Sequence, residues 1–478
     1  MKTIVWTLML VLSAASVPAQ VYNTLHSFGS VYRDGTGPLT GLALHGNTLY
    51  GTTVSGGTNY NGTVFKVNTD GTGYATLLSL SNSVVPEGDM VLIGTTIFGT
   101  MFTGGSANGG SVFKINTDGS GYAEFYSFSD MMPSFPGTNS DGNRPQGGLV
   151  TDGSTLYGTT TYGGTNGNGT VFRINTDGSR FAVIKTFSPT FLGTNNVSNN
   201  ILINSGTNGD GARPTGRLVL DGNTLYGTTF HGGTSNGVVF AMQTDGSGYT
   251  VLKYFPGLTG VGTNGDGAGP YAGLTLRGDT LYGVTDGGGA WSYGTVYGLK
   301  TNSTGFAKLH DFQFGDGTYP IGSLFLDGGT LYGTTQAGGA SNRGTIFMVL
   351  TNGADFTVLR NLDVNSGYDC KPPFILIGST FYGAAAAGGT NGGGAIFGLA
   401  VLPQIMNDGN FGIRSGAFGF DFTGISRQTG IIERCTNLAQ PAWSPLQTNL
   451  LTGAPQYFFD AQFSQDQGAD GFYRIRSP

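Results

Sequence analysis

The chain has 478 residues, of which 86 are glycine and only 10% are Asp, Glu, Lys or Arg, and its formal net charge is -6. Glycine without a three-residue period excludes collagen, 12% aromatic and 38% hydrophobic residues exclude a disordered chain, and the lack of concentrated Lys and Arg argues against a nucleic-acid partner. Abundant core residues mixed with abundant turn residues predict many short strands.

The first residues read as a signal peptide. Lys2 supplies a positive start, Ile4 to Leu12 a short apolar run, and Val17-Pro18-Ala19 a small-residue site that places cleavage after residue 19. The apolar run is shorter than the roughly 20 residues a membrane span needs. The expected mature protein is therefore exported, secreted or held at the cell surface, without a transmembrane segment, and a monomer.

From Tyr22 onward the chain repeats. Leu49-Tyr50-Gly51 returns as Ile97-Phe98-Gly99, Leu156-Tyr157-Gly158, Leu225-Tyr226-Gly227, Leu281-Tyr282-Gly283, Leu331-Tyr332-Gly333 and Phe381-Tyr382-Gly383, with glycine-to-glycine steps of 48, 59, 69, 56, 50 and 50 residues. The fourth copy predicts a whole repeat: a strand over 217–220, a tight turn at Asp221-Gly222-Asn223, a strand over 224–229, a loop opened by Gly232-Gly233, a strand over 238–242, an Asp245-Gly246 turn and a strand over 249–255. Four short antiparallel strands in a period near 50 residues mark a β-propeller blade, close to the kelch length. The seventh copy reaches Pro403 without a fourth strand, while Tyr22 to Phe28 matches the fourth-strand pattern of Tyr74 to Leu80. The expected fold is all-β: a seven-bladed β-propeller over residues 20–403, closed by its N-terminal strand so that no edge is left bare. A small β-sandwich-like domain is expected over 404–478, with strands at 418–422, 429–434, 456–459 and 472–476.

The recurring L-Y-G-T-T-x-x-G-G…G-T-V-F-x-x-N-T-D-G, clearest at 156–164 and 169–178, resembles the GloVer-type tandem repeat of bacterial choice-of-anchor proteins. The similarity covers about residues 21–400. It implies an exported bacterial repeat protein whose C-terminal module serves sorting or attachment, and it implies no activity, cofactor or catalytic residue.

Chemistry is sparse. An acidic residue stands four before a proline in Asp34/Pro38, Asp141/Pro145, Asp210/Pro214, Asp266/Pro270, Asp316/Pro320 and Asp369/Pro373, with Asn82/Pro86 in the second connection. A residue present in every repeat reads as a turn-capping device rather than a site. Asn208-Gly209-Asp210-Gly211 and its counterparts at 139 and 264 are similar to calcium loops but lack the terminal glutamate. The four histidines and two cysteines, Cys370 and Cys435, have no zinc-ligand spacing. No metal or other cofactor is expected beyond that weak calcium signal.

Subtracting what recurs leaves the loops between second and third strands and between repeats, which a four-stranded meander brings to one face. After the L-Y-G glycine, repeats three to five carry Thr161-Tyr162, Phe230-His231 and Asp286-Gly287, and repeat five adds Trp291; the long insertions 129–146, 188–215 and 256–272 enter the same repeats. Tyr162, Phe230, His231, Asp286 and Trp291 are the candidate contacts for a carbohydrate, peptide or cell-surface ligand. The favoured reading is a non-catalytic exported binding or surface protein. The alternative is a polysaccharide-active hydrolase or lyase using Asp286, His231 and Arg213 or Arg144 at the propeller mouth.

Overall fold

The structure, a computed structural model, describes residues 20–30, 33–81, 84–131, 137–190, 207–370, 373–406, 412–414, 417–435, 441–460 and 472–478. The signal peptide assigned to residues 1–19 lies outside them, as do parts of the insertions before repeats three and four. Every regular element among the described residues is a β-strand. By its contacts the chain divides into two units, Asn23–Gly398 and a second that comprises, among the described residues, 20–22 and those from Leu399 onward.

In the first unit each repeat forms an antiparallel meander whose neighbours in sequence are neighbours in the sheet. Repeat three runs Val150–Thr151, Thr155–Thr160, Thr170–Asn175 and Ala182–Thr186. Repeat four runs Val219–Asp221, Thr224–Thr229, Val238–Gln243 and Thr250–Tyr254, within two residues of the sequence expectation. Thr and aromatic residues favour these strands, and the motif glycine has a packing reason. A Cβ on Gly158 would stand 2.6 Å from Cζ of Phe172, so glycine clears the place for the third-strand ring. The second motif threonine locks the strand pair through its hydroxyl, as in Thr160–Thr170 at 2.8 Å and Thr285–Thr295 at 2.9 Å. Between third and fourth strands the register shifts at the same place in repeats one to six, a bulge that adds twist.

Each sheet buries a face against the next. Tyr157 and Val171 of repeat three pack with Leu218, Leu225 and Phe240 of repeat four, and Tyr226 and Val239 of repeat four pack with Leu274, Leu281 and Tyr297 of repeat five. Tyr332 of repeat six meets Phe381 of repeat seven at 4.6 Å. Phe28 lies in one cluster with Leu42, Leu49 and Phe65 of repeat one and Ala384 and Ile396 of repeat seven. Four-stranded meanders stacked face to face in this way are the blades of a β-propeller. The N-terminal strand Val21–Ser27 occupies the outer edge of the last sheet, beside Ala395–Ala400.

Where it is present, the recurring Asp ties a fourth strand to the loop that follows. Asp210 accepts from Ser188 N and Oγ and pairs with Lys185 at 2.5 Å, and the Lys185 ammonium lies 4.3 Å from the ring of Tyr249 in the next repeat. His26 with Asp34 and His310 with Asp316 do the same, stacking on Tyr74 and Phe356 at 3.6 Å each. One expectation is corrected here. In repeat seven the register places Ser366 and Cys370, not Asp369 and Pro373, at the Asp and Pro positions, because the bridge Tyr368–Ala387 matches Thr318–Ala337 and Ala268–Gly287.

The second unit holds two small sheets. One joins Gln404–Ile405, Gly412–Arg414, Ala417–Thr423 and Gln456–Asp460; the other joins Ser444–Leu450, Thr429–Cys435 and Phe472–Arg476. Phe420, Phe422 and Phe458 of the first sheet and Ile432 of the second share one apolar cluster with Leu451. Buried Glu433 is held below the ordinary glutamate value: burial acts to raise it, and Arg474 and Arg476, at 2.6 and 3.0 Å, overcome that. Cys370 and Cys435 are both buried, and neither is in a disulfide.

Candidate binding site

Bridges join the connection entering each repeat to the loop after its second strand: Asn143 with Tyr162, Ala212 with His231, Ala268 with Gly287 and Thr318 with Ala337. Both kinds of loop therefore emerge on one face, and the residues that vary between repeats meet there. Gly294, just before a third strand, shows how tightly these loops are set: its φ is +94°, and a Cβ would stand 2.2 Å from Thr285 O and 2.7 Å from Cδ of Pro320.

In repeats one and three to six the residue before the recurring proline, and in repeat seven the residue before Cys370 in its place, adopts a left-handed backbone. Gly37 and Gly269 do so freely, with φ of 68° and 66°, whereas Arg144, Arg213, Tyr319 and Asp369 adopt 57°, 57°, 57° and 58°. A side chain held there costs roughly 1–3 kcal/mol, so four repeats accept strain to present a side chain on this face. Arg144 lies 5.3 Å from the Phe102 ring and 5.7 Å from the Tyr162 ring, and Arg213 lies 5.1 Å from Tyr162. Phe102, Arg144, Tyr162 and Arg213 thus alternate aromatic and cationic planes across repeats two to four.

Next to this stack, burial and the Arg213 charge push His231 down to about 4, so its imidazole is neutral at physiological pH. Its ring contacts Phe230 at 4.4 Å, and Phe230 meets Tyr271 edge-on at 5.6 Å. A Cβ on Gly269 would stand 2.6 Å from Asp286 Oδ1 and 2.7 Å from the Phe230 ring, so carboxyl and ring both close on this glycine. Burial pushes Asp286 up to about 7.

A cavity of about 80 Å³ opens beside these residues, lined among others by Glu87, Asp89, Gln146, Arg217 and Tyr271. The amide of Gln146 spans the lining, donating to Glu87 at 3.0 Å and to the Tyr271 hydroxyl at 2.6 Å. Tyr271 is raised to about 12, first by burial and then by the charges of Glu87 and Asp286. Asp89 is raised by burial, against the pull of Arg217 and of the Gly41 N–H that it accepts at 2.8 Å.

Of the sequence candidates, Tyr162, Phe230, His231 and Asp286 fall into this one constellation. Trp291 stands apart, 56% exposed on the loop of repeat five. Glu87, Gln146 and Tyr271 were not anticipated, although they follow the recurring proline by one residue, where the sequence reads Leu39, Glu87, Gln146, Thr215, Tyr271 and Ile321. The carbonyls and amides of the calcium-like loops serve the chain: Asn208 donates to Ser188 O and Gly211 O and accepts from Gly211 N and Gly233 N. Among the described residues no group of three or more His, Cys, Asp or Glu is arranged to hold a metal ion.

The Gloeobacter/Verrucomicrobia repeat family matches residues 14–209 and again 191–397. No curated protein matches the chain. Among solved structures, an oligogalacturonate lyase from Vibrio parahaemolyticus is similar at 10% identity and a TM-score of 0.48, over 80% of this chain and 97% of its own. BamB from Moraxella catarrhalis gives 13% and 0.44 over 80% and 96%. A 6-phosphogluconolactonase-like protein from Bacteroides uniformis gives 15% and 0.44 over 86% and 98%. Similarities of this size attach no activity to the chain.

Proposed function

We propose, from the premise that the chain belongs to the Gloeobacter/Verrucomicrobia repeat family, that it is an exported, non-catalytic binding protein of the cell surface or its surroundings, with a carbohydrate site on the loop face of repeats two to five. The observation that carries this reading is the continuous arc from Phe102 through Arg144, Tyr162, Arg213, His231 and Phe230 to Tyr271. Aromatic planes set among fixed hydrogen-bonding groups suit sugar rings, whose faces are apolar and whose edges carry hydroxyls. Supporting a seven-bladed ring, the Phe28 cluster joins repeat seven to repeat one, and the N-terminal strand edges the last sheet. In this reading residues 1–19 direct export and the C-terminal β domain serves attachment or sorting.

One observation favours a second reading, a polysaccharide-active enzyme: a carboxyl raised to about 7, as in Asp286, is poised to give up a proton near neutrality. Glycan-array binding with the mature protein, followed by product analysis on each glycan retained, tests both. Retention without bond cleavage is the expected result. Cleavage abolished by Asp286→Asn would establish the enzyme, and retention of no glycan would remove the carbohydrate site.

A further inference from the structure

We infer that the glycan recognised on this face is anionic, its carboxylate or sulfate held by the edge of the Arg213 guanidinium beside Arg144. The inference rests on the carbohydrate reading and narrows it to a charged class. The guanidinium carbon of Arg213 stands over the Tyr162 ring, 5.1 Å from its centroid, and the ring, having no acceptor on its face to match them, leaves the guanidinium N–H donors to other partners. A planar fork of donors held in this way matches the oxygens of a carboxylate or a sulfate better than it matches a hydroxyl.

The backbone that carries both arginines is fixed before any ligand arrives. Arg213 N donates to Asn168 O at 2.9 Å and its carbonyl accepts from Phe230 N at 3.0 Å, while Arg144 N donates to Gly109 O at 2.8 Å and its carbonyl accepts from Thr161 N at 3.1 Å. Both arginines stand at the left-handed position that glycine fills in repeats one and five. Packing alone gives no reason to place a strained arginine there, whereas presenting a cation does.

Nor does the surrounding charge neutralise Arg213. It makes no ion pair with a carboxylate among the described residues, although the chain as a whole carries a net charge of -6. Its neighbour His231, kept neutral first by burial and then by the Arg213 charge, adds no counter-charge. Of the acidic groups of the face, Glu87 accepts from Gln146, Asp89 feels the charge of Arg217, and Asp286 lies beside Gly269. The face is therefore cationic at repeats three and four and acidic toward the cavity, which orients a chain that carries a negative group on one sugar and hydroxyls on the next.

The test titrates the full mature protein with four polymers: polygalacturonate, its fully methyl-esterified form, a sulfated galactan and the same galactan desulfated. Binding of polygalacturonate but not its ester identifies a carboxylate, binding of the sulfated but not the desulfated galactan identifies a sulfate, and either supports the inference. Arg213→Gly keeps a residue suited to a φ of 57°, so it should melt no lower than the wild type while binding at least about tenfold more weakly. Tyr319→Gly, at the same position of repeat six, should change affinity less than about twofold. Equal binding of charged and neutral polymers, or full affinity in Arg213→Gly, overturns the anionic inference and leaves the carbohydrate reading standing. Binding of none of the four overturns both.

Discussion

Asp34 and Asp286 begin with the same carboxyl, and the propeller drives them in opposite directions. At the outer edge burial acts to raise Asp34, and hydrogen bonds with His26 and Tyr74 and from Gly29 N outweigh it, so the group stays an anion below its ordinary value. On the loop face Asp286 is surrounded but not bonded in this way, and burial alone carries it to about 7. The first belongs to a set that recurs around the repeats and holds strand to loop. The second occurs once. Asp34 is satisfied within the fold; Asp286, which has no counterpart in the other repeats, is left with chemistry for something else.

The pH dependence separates the two regions by sign. A depressed carboxyl such as Asp34 contributes stability above its unfolded value near 4, which is lost as the pH falls through the folded value. A raised carboxyl behaves oppositely. Between about 4 and 7 the folded state keeps a proton on Asp286 that the unfolded state releases, so stability declines as pH rises through that window.

The largest effect expected is on closure. Removing residues 20–28 takes away the outer strand of the last sheet together with fully buried Phe28, and should cause aggregation or a loss of several kcal/mol. An unchanged melting profile would refute the shared strand. Next, Asp210→Ala strips partners from Ser188 and Lys185 and should destabilise by about 2–4 kcal/mol in denaturant titration. A loss under 0.5 kcal/mol, on the order of an ordinary surface change, would erase the distinction between recurrent and solitary carboxyls.

On the loop face the expected sign reverses. Asp286→Asn should stabilise the protein by about 1–3 kcal/mol at pH 8 and change it little at pH 4, a range reduced for the partial exposure of the group. Destabilisation at pH 8 would show that the carboxylate has a partner in the fold. Smallest in stability is Trp291→Ala, within about 0.5 kcal/mol because the ring is exposed. Because the ring stands apart from the arc around Tyr162, its effect on glycan affinity should be less than about twofold, and a tenfold loss would extend the site to the loop of repeat five.

Much of the propeller is legible because its determinants are local. The L-Y-G motif, the Asp-Gly turns and the threonine pairs each specify a strand or turn within a few residues, and the strands of repeat four fall within two residues of their expected bounds. Repeat seven misleads because Pro372 and Pro373 imitate the recurring proline while Cys370 holds its place, and only strand register reveals the shift. Tyr162, Phe230, His231 and Asp286 could be picked out as departures from the repeat. Their partners could not be found by scanning the L-Y-G motif alone, since Gln146 and Tyr271 are 125 residues apart and belong to the connections entering repeats three and five. Aligning the positions after the recurring proline would have exposed them. The left-handed backbone of Arg144 and Arg213 is hidden for another reason: arginine gives no local signal of positive φ, as glycine at 37 and 269 does.

The most direct measurement compares the two arcs of the loop face. Tyr162→Ala and Gln336→Ala, matching loops of repeats three and six, are titrated calorimetrically with one glycan bound by the wild type. The account predicts at least about a tenfold loss for Tyr162→Ala and less than about twofold for Gln336→Ala. Equal losses, or a loss confined to Gln336→Ala, would contradict it.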